Sequence, residues 1–175
     1  KALEECRYNK TKAAAKLGLP VEKTINLSRD VYYGNSVAAA AVAAHETGHA
    51  LQHARAYSWL TMRSKLVPVV SFASRWVQWI LLAGIILVTS FPQLLLAGII
   101  LFAATTLFSV ITLPVEVDAS RRALLWLESA GITNSSTHYY AQDALRWAAS
   151  TYFIAAIASL ATLAWYIMIF LGARD

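Results

Sequence analysis

His45-Glu46-Thr47-Gly48-His49 carries the chemistry of this chain. If the Ala-rich run from Val37 to Ala56 is helical, His45 and His49 stand one turn apart on one face, where two imidazoles can share a metal ion. Glu46 falls on the neighbouring flank, within reach of a water on that ion. Two nitrogen ligands, a base and an open coordination position form the donor set of catalytic zinc. Such a set is one ligand short, since catalytic zinc takes three protein ligands and keeps the fourth position for water.

Two residues compete for the third place. His53 is one of four histidines in the chain, and its i+8 position leaves it on roughly the same face as His45. A straight helix separates those positions by about 12 Å, too far for one ion, so His53 reads as a helix-surface residue or a group behind the ligands. Glu116 is the stronger candidate. From Trp76 to Val115 no residue is charged, and Glu116 follows immediately after Leu113-Pro114-Val115. A carboxylate at the end of such a run is costly unless paired or ligated. Asp118 and Ser120 could accept from the second ring nitrogen of a ligand histidine and so orient it. Asp118 and Arg122 are also spaced as a simple i, i+4 helix ion pair.

The elements that must position these residues are mostly apolar. The chain has 175 residues, 58% hydrophobic and 14% charged, with six Trp and eight Tyr. An ordinary soluble domain carries about 25% charged residues. Mean hydropathy is +0.49. Three stretches are long enough to cross a bilayer: Val69–Ser90, Leu94–Leu113 and Ala148–Leu171, the first two separated at Phe91-Pro92-Gln93. A soluble core would need far more polar covering chain. We therefore expect an integral membrane protein, mainly α, multispanning, with a zincin-like H-E-x-x-H helix and a short edge strand at Thr24–Leu27. Residues 2–17 read as a helix ended by Gly18-Leu19-Pro20, and Pro114 is expected to end or kink the second span before an amphipathic helix over Glu116–Ser129. Expected organisation is a cytoplasmic-side N-terminal region (1–66), two transmembrane helices (67–115), a cytoplasmic-side helix and loop with the third ligand (116–146) and a last transmembrane helix (147–175).

Charge gives orientation. The net charge is +5, with Lys and Arg crowded before residue 76 and recurring at Arg121, Arg122 and Arg146. By the positive-inside rule the segments around His45 and Glu116 face the cytoplasm. The basic residues form no aromatic-interleaved patch, so no nucleic-acid partner is expected. Membrane lipid and peptide or protein substrates are the expected partners; nothing in the sequence sets an oligomeric state. A single cysteine, Cys6, excludes an intramolecular disulfide. Starting at Lys1, the chain is expected to be a truncated or processed form, which leaves open whether a further membrane span precedes it.

Beyond its pentapeptide, the chain resembles the YugP-like family of membrane zinc metallopeptidases. The resemblance rests on Ser28-Arg29-Asp30-Val31-Tyr32, on Ala43-Ala44-His45 through His53, on Leu66-Val67-Pro68-Val69-Val70, on Leu113-Pro114-Val115-Glu116-Val117-Asp118-Ala119-Ser120, and on Ala148-Ala149-Ser150-Thr151-Tyr152. It implies one zinc ion held by His45, His49 and Glu116, with Glu46 as catalytic base. Glu116-x-x-Ala119 is similar to the E-x-x-A-D-x-x-A segment of the broader gluzincins, but Ser120 occupies the Asp position. The implied activity is endopeptidase hydrolysis of membrane or membrane-proximal proteins through a zinc-activated water. His138, Tyr139, Tyr140 and Tyr152 are candidates to stabilise the oxyanion, though each also suits an interfacial or packing role. An alternative is a catalytically silent metal-binding scaffold or chaperone, against which Glu46 argues, since a structural site needs no base. A channel or transporter is disfavoured because the spans hold almost no ionisable residue to line a pathway.

Overall fold

A computed structural model of the chain describes residues 25–173. The expected helix over residues 2–17 lies outside the described residues, as does Thr24 of the expected strand. Ile25, Asn26 and Leu27 take no regular structure, and there is no strand among the described residues. A strand needs a partner ladder for its N–H and C=O groups, and none is present there to supply one.

Five helices follow. Helix α1 (Arg29–Tyr33) is a single capped turn, with the Ser28 hydroxyl accepting from the Val31 N–H. Helix α2 (Val37–Ala54) starts at Ser36, whose hydroxyl accepts from Ala39 N–H at 3.1 Å. It ends in a Schellman turn: Tyr57 N–H reaches Gln52 C=O and Ala56 N–H reaches His53 C=O. Ala56 occupies the left-handed position, at φ 49°, where glycine is usual. Helices α3 (Ser58–Ile86), α4 (Pro92–Ser129) and α5 (His138–Gly172) are each long and apolar enough to cross a membrane. A second Schellman turn, with Gly131 at φ 66°, closes α4. Asn134 organises the next turn by accepting from the backbone N–H groups of Ser136 and Thr137.

Of the two outcomes expected at Pro114, an end or a kink, the end does not occur: α4 runs through it to Ser129. Proline removes one intrahelical donor, but apolar surroundings leave the freed carbonyl no better conformation to adopt. Beyond it, Ala119, Ala123 and Leu127 repeat at i, i+4, i+8 and are all buried, so packing sustains the helix. At about 1.5 Å per residue α4 is about 57 Å long, well over the roughly 30 Å of a bilayer's hydrocarbon core.

The chain divides into two compact units. One takes the described residues up to Tyr57 together with Val117–Trp147. Its core joins Ala41 and Ala44 of α2 to Ala123 and Leu127 of α4 and to Ala141 and Leu145 of α5. Alanine on the facing side of α2 is what lets the helices approach closely. The other unit takes Ser58–Glu116 and the chain from Ala148 onward. Val77, Leu81, Leu95 and Ile99 form its core, with Leu163, Tyr166 and Phe170 packed against it. Gly84 permits contact of backbones there, since a Cβ would lie 2.6 Å from Leu95 Cα. Thr106, buried in α4, bonds Ser159 of α5 at 2.7 Å. Large apolar groups such as Trp79 and Ile86 are 68% and 71% exposed, the pattern of a surface that meets lipid rather than water.

Candidate metal centre

Helix α2 brings His45 and His49 together as the i, i+4 spacing requires. Their rings meet edge to face with centroids 4.6 Å apart. Glu116, on α4, is 3% exposed, the most enclosed of the carboxylates expected at the site. One donor atom from each of His45, His49 and Glu116 can be chosen so that all lie within 4.8 Å of one another. Ligand atoms around tetrahedral zinc, with bonds of about 2.0–2.1 Å, stand roughly 3.3–3.5 Å apart. Small side-chain rotations close that difference. Two imidazole nitrogens and a carboxylate oxygen also match zinc's preferred donors, so the cluster can hold a zinc ion.

Contacts behind the histidines sort out which nitrogen is available. Nδ1 of His45 lies 3.1 Å from the Ser120 hydroxyl. Nδ1 of His49 donates to Oε1 of Gln52 at 3.0 Å. Gln52 is fully buried and donates through Nε2 to Oδ2 of Asp118 at 2.8 Å. Arg122 donates to the same carboxylate oxygen at 2.6 Å. Both Nδ1 atoms are therefore engaged in hydrogen bonds, and an ion would be taken by the Nε2 of each ring. Burial pulls the Asp118 carboxyl upward, yet the Arg122 and Gln52 hydrogen bonds outweigh it and hold the group below its ordinary range. Tyr57, whose ring lies under the Arg122 guanidinium, is raised by burial and by the Asp118 carboxylate.

Of the residues expected to orient the histidines, Ser120 meets His45 and Asp118 reaches His49 through Gln52. Asp118 also forms the i, i+4 ion pair with Arg122 that their spacing predicts. His53 is exposed in the last turn of α2 and is not among the clustered donors. His138 sits beside Thr133 at 3.2 Å, while Tyr139, Tyr140 and Tyr152 are exposed.

Two residues at the site are not singled out by the sequence. Gln52 carries a faint signal, a lone amide three residues past His49 in a helix otherwise small and apolar at that face. Arg63 carries none. Its guanidinium approaches Oε1 of Glu116 at 4.0 Å and the Phe108 ring at 5.7 Å, and its buried Nε has no hydrogen-bond partner among the described residues.

Fold and site together define a class: a multispanning, mainly α membrane protein with the donor set of a zinc hydrolase. The chain belongs to the family described as "putative neutral zinc metallopeptidase", whose sequence profile matches residues 19–171. It is 44% identical over 156 residues to the "Putative membrane protease YugP" of Bacillus subtilis (strain 168), covering 89% of this chain and 68% of that protein. No solved structure matches the chain. The resemblance first carried by five short motifs thus extends over most of the sequence. Membership gives zinc as the family cofactor and peptides or proteins as its substrate class.

Proposed function

We propose that this chain is a zinc-dependent membrane endopeptidase that hydrolyses peptide bonds of membrane or membrane-proximal proteins. The observation that carries the reading is the gathering of His45, His49 and buried Glu116 within 4.8 Å. His45 and His49 bind through Nε2, and Glu116 supplies the third ligand. An ion held there contributes a Lewis acid that acidifies water and polarises the scissile carbonyl. Glu46, one residue on from His45 and therefore rotated off the ligand face, takes the proton from the attacking water. It then returns that proton to the leaving amine. Retention of a base beside the ligands favours an enzyme over a silent scaffold.

The active site lies on the cytoplasmic side in this reading. Support comes from Arg55, Arg63, Lys65, Arg75, Arg121, Arg122 and Arg146, which flank the uncharged stretches Trp76–Val115 and Trp147–Leu171, against a Phe91-Pro92-Gln93 turn without a positive charge.

The deciding experiment uses purified protein in detergent or nanodiscs, zinc analysis and a peptide or casein-type substrate. Glu46→Gln is expected to keep one zinc per chain and lose cleavage by at least about 100-fold, the scale of a general base. His45→Ala, His49→Ala and Glu116→Ala are expected to lose the zinc. Wild-type cleavage by Glu46→Gln would overturn the mechanism, and full zinc in Glu116→Ala would remove that residue from the site.

A further inference from the structure

The hydrogen-bond chain behind His49 has a direction. Arg122 is permanently charged and donates through Nε to Oδ2 of Asp118. The carboxylate oxygen facing it has no proton to give and only accepts. Gln52 must therefore turn its NH2 group toward Asp118, where the amide nitrogen lies 2.8 Å from that oxygen. Its carbonyl is left for His49, 3.0 Å from Nδ1. A carbonyl only accepts, so Nδ1 of the ring must carry the proton and its Nε2 must carry the lone pair. With Gln52 fully buried, water cannot take over either bond if the amide is lost.

We propose that Gln52 is the positioning residue of the metal centre, an amide relay through which the Asp118–Arg122 pair sets the tautomer and ring orientation of His49. The inference rests on the reading that His49 is a zinc ligand. It assigns to a buried neutral side chain the work that a carboxylate bonded directly to a ligand histidine performs elsewhere. His45 is served separately, by Ser120. The two ligand histidines are thus held by different means, one by a hydroxyl and one by an amide backed by an ion pair.

The test is zinc affinity of the full chain in detergent, measured by competition with a chromophoric chelator, with the thermal midpoint of each metal-free variant as a folding control. Gln52→Leu keeps most of the volume and removes both bonds; zinc affinity is expected to fall about 10–100-fold, the usual cost of losing such a partner. Gln52→Glu keeps an acceptor for His49 but sets two carboxylates against each other, and should also weaken binding. The nitrogen NMR signals of His49 in the metal-free protein read the relay directly: in wild type the proton of the neutral ring sits on Nδ1, and in Gln52→Leu it should spread over both nitrogens. Space filling alone would leave Gln52→Leu with the wild-type zinc affinity and the wild-type His49 tautomer; either result overturns the relay. Should Gln52→Leu fail to fold, Gln52→Glu decides, and wild-type zinc affinity in that variant overturns the relay. His49→Ala measured alongside separates the two readings. Zinc retained in that variant sinks ligation and relay together, whereas zinc lost there but unchanged in Gln52→Leu sinks the relay alone.

Discussion

Gly48 rests directly on the backbone of Ala119: a Cβ built on it would lie 2.6 Å from the Ala119 carbonyl oxygen and 3.2 Å from its Cα. The glycine inside the H-E-x-x-H pentapeptide is therefore a contact point between α2 and α4, three residues past Glu116. Backbone cannot yield as the tip of a side chain does. Gly48→Ala is expected to cost about 1–3 kcal/mol of stability, the range for overpacking, and to weaken zinc binding. Gly172→Ala, where an added Cβ meets nothing within 4 Å, is the control. Thermal midpoints of the two variants in the same detergent check this, and equal midpoints would refute the contact's importance.

Stability should depend on pH through Asp118. Its folded value is held below the ordinary value for an aspartate, because the bonds from Arg122 and Gln52 overcome burial. A depressed acid stabilises the folded state fully above its unfolded value and loses that contribution as pH falls through the folded one. Asp118→Asn should thus melt lower than wild type near pH 7, with the gap closing only below the ordinary carboxylate range. Melting curves of the metal-free proteins across that window test it, and a gap unchanged at low pH would exclude the ion pair as the source.

The Arg63 guanidinium lies 4.0 Å from the carboxylate of buried Glu116. Removing it in Arg63→Met leaves the carboxylate with less compensation, which destabilises the metal-free protein. An ion bound at Glu116 supplies the missing positive charge, so zinc should raise the melting temperature of Arg63→Met more than that of wild type. Paired scans with zinc and with chelator read the difference directly. Equal increments would mean that Arg63 does not balance Glu116.

Ala56 stands in the left-handed region at φ 49°, at the exit of the α2 metal helix. For a residue with a Cβ that conformation costs about 1–2 kcal/mol. Ala56→Gly relieves it, offset in part by the extra freedom of glycine in the unfolded chain. A rise of up to about 1 kcal/mol in stability is expected, read as a higher thermal midpoint with zinc content unchanged.

The Thr106–Ser159 bond, at 2.7 Å, joins two apolar helices within one unit. Interhelical hydrogen bonds in membranes average about 0.6 kcal/mol and reach about 1.7. Thr106→Val and Ser159→Ala should each fall in that range. Their double variant should cost less than the sum; strict additivity in a double-mutant cycle would show the bond to be idle.

Local pattern makes half of the candidate site legible. His45, Glu46 and His49 announce themselves by spacing, and Glu116 by being the first charge after a long apolar run. The spans are legible for the same reason, because composition is what a bilayer selects. What escapes is long-range or permissive. Gln52 acquires its role from Asp118, 66 residues away, and no local pattern encodes that pairing. Pro114 misleads as a stop signal because proline's penalty is local while the buried stripe of Ala119, Ala123 and Leu127 pulls the helix onward. The expected Thr24–Leu27 strand rests on alternation alone, which cannot supply a partner.

Ala119, Ala123 and Leu127 are buried every fourth residue of α4 within one unit, so their order along the chain sets a bearing as well as a depth. Inserting a single residue between Ala119 and Ala123 would advance Ala123 and Leu127 by about 1.5 Å and turn them by about 100°, away from the core they share with Ala41 and Ala44 of α2. Length in this stretch is therefore quantised: changes near whole turns preserve the phase, and single-residue changes break it.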